Sequence, residues 1–376
     1  MLAQPPFWFI ALAFIAAIGP LVFIHEYGHS IVARWFGVGA ETFSIGFGRE
    51  VAGWTDKRGT RWKVGWLPLG GYVRFVGDMS PASQPGDNTR LAPGDRARAF
   101  HLKPVWQRFL IVLAGPFANF LLAIAIIAAF IGIYGVPSTP NVIGQVEPNS
   151  AAARAGLRPG DRILAIGGRA TPSFEAIGDM TMLRPGERLP VEVSRSGSTF
   201  SRSVTLGVAE QVDRFGQRFR VGRLGVGSTA PRLEPVAALS LLPTAVRMTF
   251  SLTRSMIDGL WQIVSGRRSV KDLGGPIKMA QIAGQQASLG VTEFAQLLAL
   301  FSINLGFINL LPIPMLDGGH LMLYAAEAVR RRPVSERAQE WAFRGGLAFL
   351  LALLLFVTAN DLASIGLFER LGRLIG

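Results

Sequence analysis

Long apolar runs alternate with polar, glycine-rich stretches along this chain of 376 residues. The runs cover Phe7 to Phe36, Val105 to Tyr134, Phe294 to Leu311 and about Trp341 to Ala359. A helix of about 20 apolar residues crosses the hydrocarbon core of a bilayer. The pattern therefore predicts a polytopic α-helical membrane protein with about four transmembrane helices.

Two stretches between the apolar runs indicate strands. Between Trp62 and Phe75, aromatic and apolar residues with glycines for turns predict a β-hairpin element, either membrane-associated or an ordinary cytoplasmic hairpin. Apolar residues alternate with polar ones between Leu189 and Leu206. The preceding run from Ala155 to Gly168 resembles the signature of PDZ domains, so we expect an inserted α+β PDZ domain.

The segment between the PDZ-like stretch and the third apolar run has a helical period with a charged stripe beside it. Apolar residues at helical spacing are Phe250, Ile257, Leu260 and Val264, next to Arg247, Arg254 and Asp258. Three charges in twelve residues disfavour a membrane span and favour a helix that lies in the membrane interface.

These patterns divide the chain into four regions. They are an N-terminal membrane half at 1–135, a PDZ domain at 136–210, an interfacial helical connector at 211–292 and a C-terminal membrane half at 293–376.

Composition narrows the class of protein. The chain is 49% hydrophobic and 17% charged, whereas soluble proteins have about 25% charged residues. The net charge of +13 is compatible with a nucleic-acid binder. However, the basic residues cluster beside the apolar runs, where they set membrane topology. No cysteine is present, which excludes disulfides and cysteine-based metal or redox sites.

The first apolar run contains the pattern His25-Glu26-x-x-His29. Positions i and i+4 lie on one face of a helix, so the two imidazoles can hold one metal ion. Glu26 can act as the general base toward a water that zinc activates. Ionisable side chains inside an apolar run are costly and by default indicate function. We therefore predict one Zn²⁺ per chain with Glu26 as the catalytic residue.

A catalytic zinc site takes three protein ligands and leaves one position open. Candidates for the third ligand are Asp317, His320, His101 or an acid closer to the motif. Asp317 is preferred because it follows the interruption at Pro312 and Pro314, near the end of the third apolar run. His320 is one turn farther on. His101 lies in polar sequence and is expected to be solvated.

A metal site at membrane depth predicts a substrate at the same depth. A peptide bond there is normally held in a helix, so the substrate must unwind locally. We expect oxyanion stabilisation from Asn309 or Asn304, although both side chains also suit hydrogen bonds between helices. The hairpin offers a strand edge to an extended peptide, and the candidate binding residues are Val64, Gly65, Gly70 and Gly71.

Taken together, these motifs resemble the site-2 protease family of intramembrane zinc metalloproteases, in particular its bacterial RseP type. The resemblance rests on His25 to His29, on Leu316-Asp317-Gly318 after Asn309-x-x-Pro312, and on the PDZ signature between them. It implies zinc ligation by His25, His29 and Asp317, a catalytic Glu26, substrate handling at Asn309 and a membrane-reentrant β element at Val64 to Phe75.

The resemblance also implies the substrates and the setting. It implies regulated intramembrane proteolysis of single-span membrane proteins that another protease has already shortened, such as anti-sigma factors, or of remnant signal peptides. It places the chain in the bacterial inner membrane. One difference from the RseP type is a single PDZ domain where that type has a tandem pair.

Charge predicts the orientation. The loop after the first span and the loop at Arg330 are basic, so both are expected in the cytoplasm, with the PDZ domain in the periplasm and the metal site toward the cytoplasmic side. Two other classes remain as alternatives. A membrane-embedded PDZ scaffold requires a closed, structural metal site. A metal transporter requires polar residues along several helices.

Overall fold

The computed structural model describes residues 5–78, 92–182, 184–212, 218–230, 232–266 and 274–364. Parts of the predicted regions that fall in the gaps, such as 213–217, 267–273 and 365–376, lie outside the described residues. The chain divides into two compact units. One comprises Met1–Ala128 with Leu242–Gly376, and the other comprises Ala129–Leu241.

The helices of the described residues, in chain order, are α1 (Phe7–Trp35), α2 (Pro93–Arg96), α3 (Val105–Tyr134), α4 (Ala151–Arg154), α5 (Phe174–Met182), α6 (Ala238–Val264), α7 (Pro276–Leu289), α8 (Val291–Asn309), α9 (Asp317–Arg330) and α10 (Glu336–Ser364). Four of them, α1, α3, α8 and α10, are long and apolar enough to cross a membrane. They coincide with the four predicted runs.

The strands of the described residues are β1 (Ala40–Thr55), β2 (Arg61–Phe75), β3 (Val136–Ser138), β4 (Ile143–Val146), β5 (Arg162–Ile166), β6 (Arg169–Ala170), β7 (Arg188–Arg195), β8 (Ser198–Thr205), β9 (Gly207–Val212), β10 (Arg218–Arg223), β11 (Val226–Ser228) and β12 (Arg232–Glu234). With the four apolar helices, they confirm the predicted fold class: a polytopic helical membrane protein with a β-hairpin element and an inserted α+β domain of PDZ type.

The β1–β2 hairpin folds over on itself. Residues 40–45 pair with 71–75 on one side and align with 61–64 on the other, while residues 50–55 pair with 61–65. Gly46 and Gly48 permit this bend of β1 because their φ angles of 84° and 85° lie in the region that favours glycine. As a result, the segment 71–75 forms an edge of the small sheet among the described strands.

The second unit contains a four-stranded sheet in the order β6-β5-β7-β8. The alternation predicted between Leu189 and Leu206 is observed, since Leu189, Val191 and Val193 are buried and the residues between them are exposed. Helix α5 covers the sheet with Ile177, and α4 adds two buried alanines to the same core. This is the arrangement that the PDZ-like signature predicted.

The boundary that we predicted at residue 210 falls inside this unit. Strand β11 pairs with β4, and β12 pairs with β3, so the chain adds strands after residue 210. Leu224 is buried in the same core as the sheet. The predicted connector at 211–292 is therefore wrong in its first part, because short strands that pair with distant segments leave no periodic signal of their own.

The described residues of the rest of the predicted connector contain the helices α6 and α7. Helix α6 exposes a row of large apolar side chains that includes Leu239, Phe250 and Trp261. Helix α7 packs against α1, where a side chain on Gly284 would overlap Ile10. Helix α7 thereby supports the helix that carries His25.

Candidate active site

Helix α1 places the predicted motif in the interior of the first unit. His25, Glu26 and His29 are all buried, with 7–8% of their surface exposed. Helix α3 approaches α1 very closely at Gly28, where a Cβ atom would lie 2.5 Å from the Ala114 carbonyl oxygen. Only glycine permits this approach. The crossing brings polar groups of α3 into contact with both imidazoles.

The third predicted ligand enters from α9. The chain leaves α8 after Asn309, passes through Pro312 and Pro314, and restarts as a helix at Asp317. Gly318 and Gly319 are required at the start of α9, because a side chain on either would overlap the carbonyl groups of residues 310–313. The tight packing turns the Asp317 carboxylate toward α1.

Three donor atoms converge at this point. His25 Nε2 lies 3.1 Å and His29 Nε2 3.5 Å from Asp317 Oδ2, and the two Nε2 atoms are 3.3 Å apart. Ligand atoms about 2.0–2.1 Å from a tetrahedral ion lie about 3.3 Å from one another. Two imidazole nitrogens and a carboxylate oxygen at these separations fit a zinc ion. Among the described residues, this is the one such group of three His, Asp or Glu donors.

The outer side of His29 is tightly held. Its Nδ1 lies 2.8 Å from the Ile111 carbonyl oxygen on α3. A carbonyl oxygen only accepts hydrogen bonds, so Nδ1 carries a proton and Nε2 is the ring atom that is left to bind a metal ion. Gly115 leaves room for the ring, because a Cβ atom there would lie 2.2 Å from His29 Nε2.

A cavity of about 370 Å³ opens beside the three donors. Its walls contain His25, Glu26, His29 and Asp317, together with Gly70, Gly71, Tyr72, Val73, Asn309, Met315 and His320. The edge segment of β2 forms one wall, and the backbone amide of Val73 forms a hydrogen bond with the Glu26 carboxylate. Glu26 is therefore fixed between the donor cluster and a strand edge.

The predicted substrate-binding residues separate into two groups. Gly70, Gly71 and Asn309 line the cavity. Asn304, Val64 and Gly65 do not belong to its lining. Val64 pairs within the sheet and is exposed, and Gly65 packs against Phe47 and Gly46, because the bend of the hairpin carries these residues away from the cavity.

The two remaining histidines lie outside the donor group. The His101 side chain is only 8% exposed, and its Nε2 lies 2.9 Å from Asp78 Oδ1, so the expectation of a solvated side chain is wrong. The polar sequence around His101 does not reveal this contact with a buried carboxylate. His320 is also buried and lines the cavity, with its ring against those of Tyr324 and Phe343, outside the group of three donors.

One residue of the site was not among our sequence-based candidates. Asn119 of α3 is fully buried, and its side-chain nitrogen lies 3.2 Å from His25 Nδ1. Its signal in the sequence is a carboxamide inside a long apolar run. The identity of its partner, 94 residues away, requires the structure.

Comparisons with known proteins agree with this geometry. The family model described as "Peptidase family M50" matches residues 13–353. A relative from Agrobacterium fabrum whose name describes a zinc metalloprotease is 41% identical over 358 residues, which cover 94% of this chain and 95% of the relative. "Metalloprotease MmpA" from Caulobacter vibrioides is 38% identical over 392 residues, which cover 97% and 98%.

A solved structure matches a smaller part. It is the PDZ domain of an SdrC-like protein from Listeria monocytogenes, with 19% identity and a TM-score of 0.20. The match covers 25% of this chain and 92% of that one.

Proposed function

Because this chain belongs to peptidase family M50, as its resemblance to the site-2 proteases predicted, we propose that it is a zinc metalloendopeptidase that cuts peptide bonds within the transmembrane segments of single-span membrane proteins. One observation supports this proposal above all. Glu26, three convergent donor atoms and a strand edge line one cavity, and Glu26 with two of the donors belongs to a helix that is apolar enough to cross a membrane.

His25, His29 and Asp317 are the residues that would hold the zinc ion. Their donor atoms have the separations of a tetrahedral site, and they leave one position for water or substrate. When bound, zinc supplies Lewis acidity, which polarises a peptide carbonyl and lowers the pKa of water. The names of the relatives, which describe zinc metalloproteases, agree with this choice of metal.

Glu26 acts as the general base. It accepts a proton from the attacking water and then delivers that proton to the leaving amine. The Val73 amide and the packing of α1 keep its carboxylate directed into the cavity. Asn309 is the proposed donor to the developing oxyanion, since it is the one predicted amide that lines the cavity.

The substrate would bind as an extended segment beside residues 70–75 of β2. A strand edge satisfies backbone hydrogen bonds that a transmembrane helix loses when it unwinds. Gly71 lets the strand pack closely beside α1, because a side chain there would overlap the Ser44 carbonyl and crowd Val22 and Glu26. This wall would hold an unwound peptide bond beside Glu26.

We place the protein in the bacterial inner membrane, with the site toward the cytoplasmic side and the PDZ-like unit in the periplasm. The partners are the lipid bilayer, single-span substrates that another protease has shortened, and a peptide or substrate segment at the PDZ-like unit. The PDZ-like unit contains a groove lined by Ile177, Thr181 and Leu224, which supports peptide binding. No nucleic acid is involved.

The test uses purified protein in liposomes with a single-span reporter. Wild-type protein should contain one zinc per chain and cut the reporter. Glu26→Gln should retain zinc and lose at least about a thousandfold in rate, since it removes the general base. Glu340→Gln is the matched control, because Glu340 is exposed and pairs with Arg344 on the surface of α10.

The outcomes separate the candidate functions. Cleavage by Glu26→Gln at the wild-type rate would contradict the proposal. Zinc binding without cleavage by the wild type, in a site that keeps no water, would favour the scaffold hypothesis. Equal cleavage of a soluble peptide and of the same sequence within a transmembrane segment would contradict the proposed depth of the reaction.

A further inference from the structure

Asn119 has a buried oxygen without a hydrogen-bond partner. The residue lies in the middle of α3 with none of its surface exposed. Its Nδ2 faces His25 Nδ1 at 3.2 Å, whereas no group in the described part of the chain forms a hydrogen bond with its Oδ1. A buried carboxamide oxygen of this kind costs about 1–3 kcal/mol, so its orientation needs an explanation.

The two orientations of the carboxamide differ in where they place a proton. If Nδ2 faces His25, Nδ1 must accept, and the ring proton then lies on Nε2, which points at His29 and Asp317. If the amide turns over, Oδ1 accepts a hydrogen bond from Nδ1–H. The Nε2 lone pair is then free to face the donor cluster.

His29 indicates which orientation applies. Its Nδ1 donates to the carbonyl oxygen of Ile111, so in a metal site its Nε2 is the atom that supplies a lone pair. An ion between His25 and His29 needs a second lone pair from His25 Nε2. The turned amide supplies it, because Oδ1 then accepts the hydrogen bond from Nδ1–H, and the amino group takes the buried position that has no partner among the described residues.

We propose that Asn119 is a positioning residue, whose Oδ1 accepts the Nδ1 proton of His25 and so fixes this ring as a metal ligand. The inference rests on the proposed metal site. Together with Ile111, Asn119 makes α3 the helix that sets the protonation of both imidazoles.

The backbone of the same turn is held independently. Ser302 of α8 donates a hydrogen bond to the Asn119 carbonyl oxygen at 2.8 Å, and Ser302 is fully buried. This contact joins α3 to α8 without involving His25. It therefore provides a control variant at the same place that leaves the side chain of Asn119 intact.

The experiment measures the dissociation constants of zinc and cobalt by competition with a chromophoric chelator, using full-length protein in detergent. Asn119→Leu keeps the size and loses the acceptor, and we expect about 10–100-fold weaker binding. Asn119→Asp keeps an acceptor and should bind within about threefold of the wild type or more tightly. Ser302→Ala should remain within about threefold of the wild type.

The pair of variants distinguishes positioning from packing. In an apolar helix, leucine suits packing and aspartate disturbs it, so a packing role predicts the opposite order of affinities. Wild-type affinity in Asn119→Leu, or equal losses in both variants, would overturn the inference. The visible spectrum of the cobalt protein provides a second readout and should change only in Asn119→Leu.

These readouts do not depend on proteolysis. If the wild type binds zinc and does not cut the reporter, the proposed function fails while the role of Asn119 stands. If the wild type cuts the reporter and Asn119→Leu retains full metal affinity, only the role of Asn119 fails.

Discussion

At the scale of single residues, the site depends on positions where a side chain is absent. Gly28 lets the backbone of α3 approach α1, and Gly115 gives the His29 ring its space. The Ile111 carbonyl then lies within hydrogen-bond distance of that ring. The donor set is thus held by the crossing of two apolar helices as much as by its own side chains.

A methyl group at Gly115 is expected to displace His29. Its Cβ atom would lie 2.2 Å from His29 Nε2, a separation that requires the ring to move. Overpacking of this kind costs about 1–3 kcal/mol. We predict that Gly115→Ala contains less than half of the wild-type zinc and cuts a reporter at least about tenfold more slowly.

The control for this prediction is Gly132→Ala on the same helix. A Cβ atom there meets only Leu241 side-chain atoms at 3.7–3.8 Å, which is ordinary contact. Zinc content measured by elemental analysis should stay at the wild-type level in this variant. Full zinc occupancy in Gly115→Ala would contradict the packing account of His29.

At the scale of elements, the fourth apolar helix holds α7 in place. The Asp361 carboxylate on α10 accepts hydrogen bonds from the N–H groups of Gly275 and Lys278, each at 3.0 Å. These belong to the first turn of α7, whose N–H groups have no partners within the helix. A capping carboxylate thus comes from a residue more than 80 positions away.

Removal of this cap is expected to loosen the start of α7. Asp361→Ala should reduce local stability by about 1–2 kcal/mol, and Asp361→Asn should lose about half as much because one oxygen remains. Hydrogen–deuterium exchange of the first turn of α7 measures the change. Ser335→Ala, which removes a bond to Ala338 at the start of α10, should leave that exchange unchanged.

The elements also show what the sequence can predict. Helix α1 and its motif can be predicted from the local sequence alone. The three ionisable residues His25, Glu26 and His29 lie within one apolar run of thirty residues. The pairing of β11 with β4 and the contact of His101 with Asp78 join distant segments. Neither contact produces a periodic pattern in the nearby sequence. The domain boundary after residue 210 and the environment of His101 therefore could not be predicted from the sequence pattern.

The PDZ-like unit contains an ion pair that makes its stability depend on pH. The Arg195 guanidinium donates to both oxygens of Asp161, which is almost fully buried, and the Arg158 amide donates a third hydrogen bond. The bonds from Arg195 lower the pKa of Asp161 below its ordinary value, against the effect of burial. Their stabilisation is complete above about pH 4, the unfolded value, and is lost as the pH falls through the folded value.

We therefore expect Arg195→Leu to destabilise this unit at pH 7 and to weaken its acid sensitivity. Arg202→Leu is the control, because both guanidinium groups lie over the Phe200 ring and only Arg195 contacts Asp161. Hydrogen-exchange protection factors of the amides in β5 and β7 measure the change in stability. Tryptophan fluorescence cannot measure it, because the eight tryptophans of the chain lie outside Ala129–Leu241. Equal protection in the two variants would contradict this assignment.

At the scale of the whole molecule, four apolar helices and a basic bias of loops predict an orientation. The segment between α1 and α3 and the loop after α9 both carry clustered arginines and lysines. Loops of this kind generally remain on the cytoplasmic side, whereas long domains cross largely regardless of charge. We therefore expect both loops in the cytoplasm and the PDZ-like unit on the opposite side of the membrane.

This orientation can be tested by thiol labelling, because the chain has no cysteine and the unmodified protein therefore gives no labelling of its own. Arg58→Cys, Arg332→Cys and Ser198→Cys each introduce one thiol at an exposed position. With a membrane-impermeant maleimide on intact spheroplasts, only Ser198→Cys should react, and the other two should react after permeabilisation. Labelling of Arg332→Cys in intact spheroplasts would reverse the orientation. It would also place the start of α9, and with it Asp317, toward the periplasmic face. A protease acting there would have to release its products into the periplasm and not into the cytoplasm.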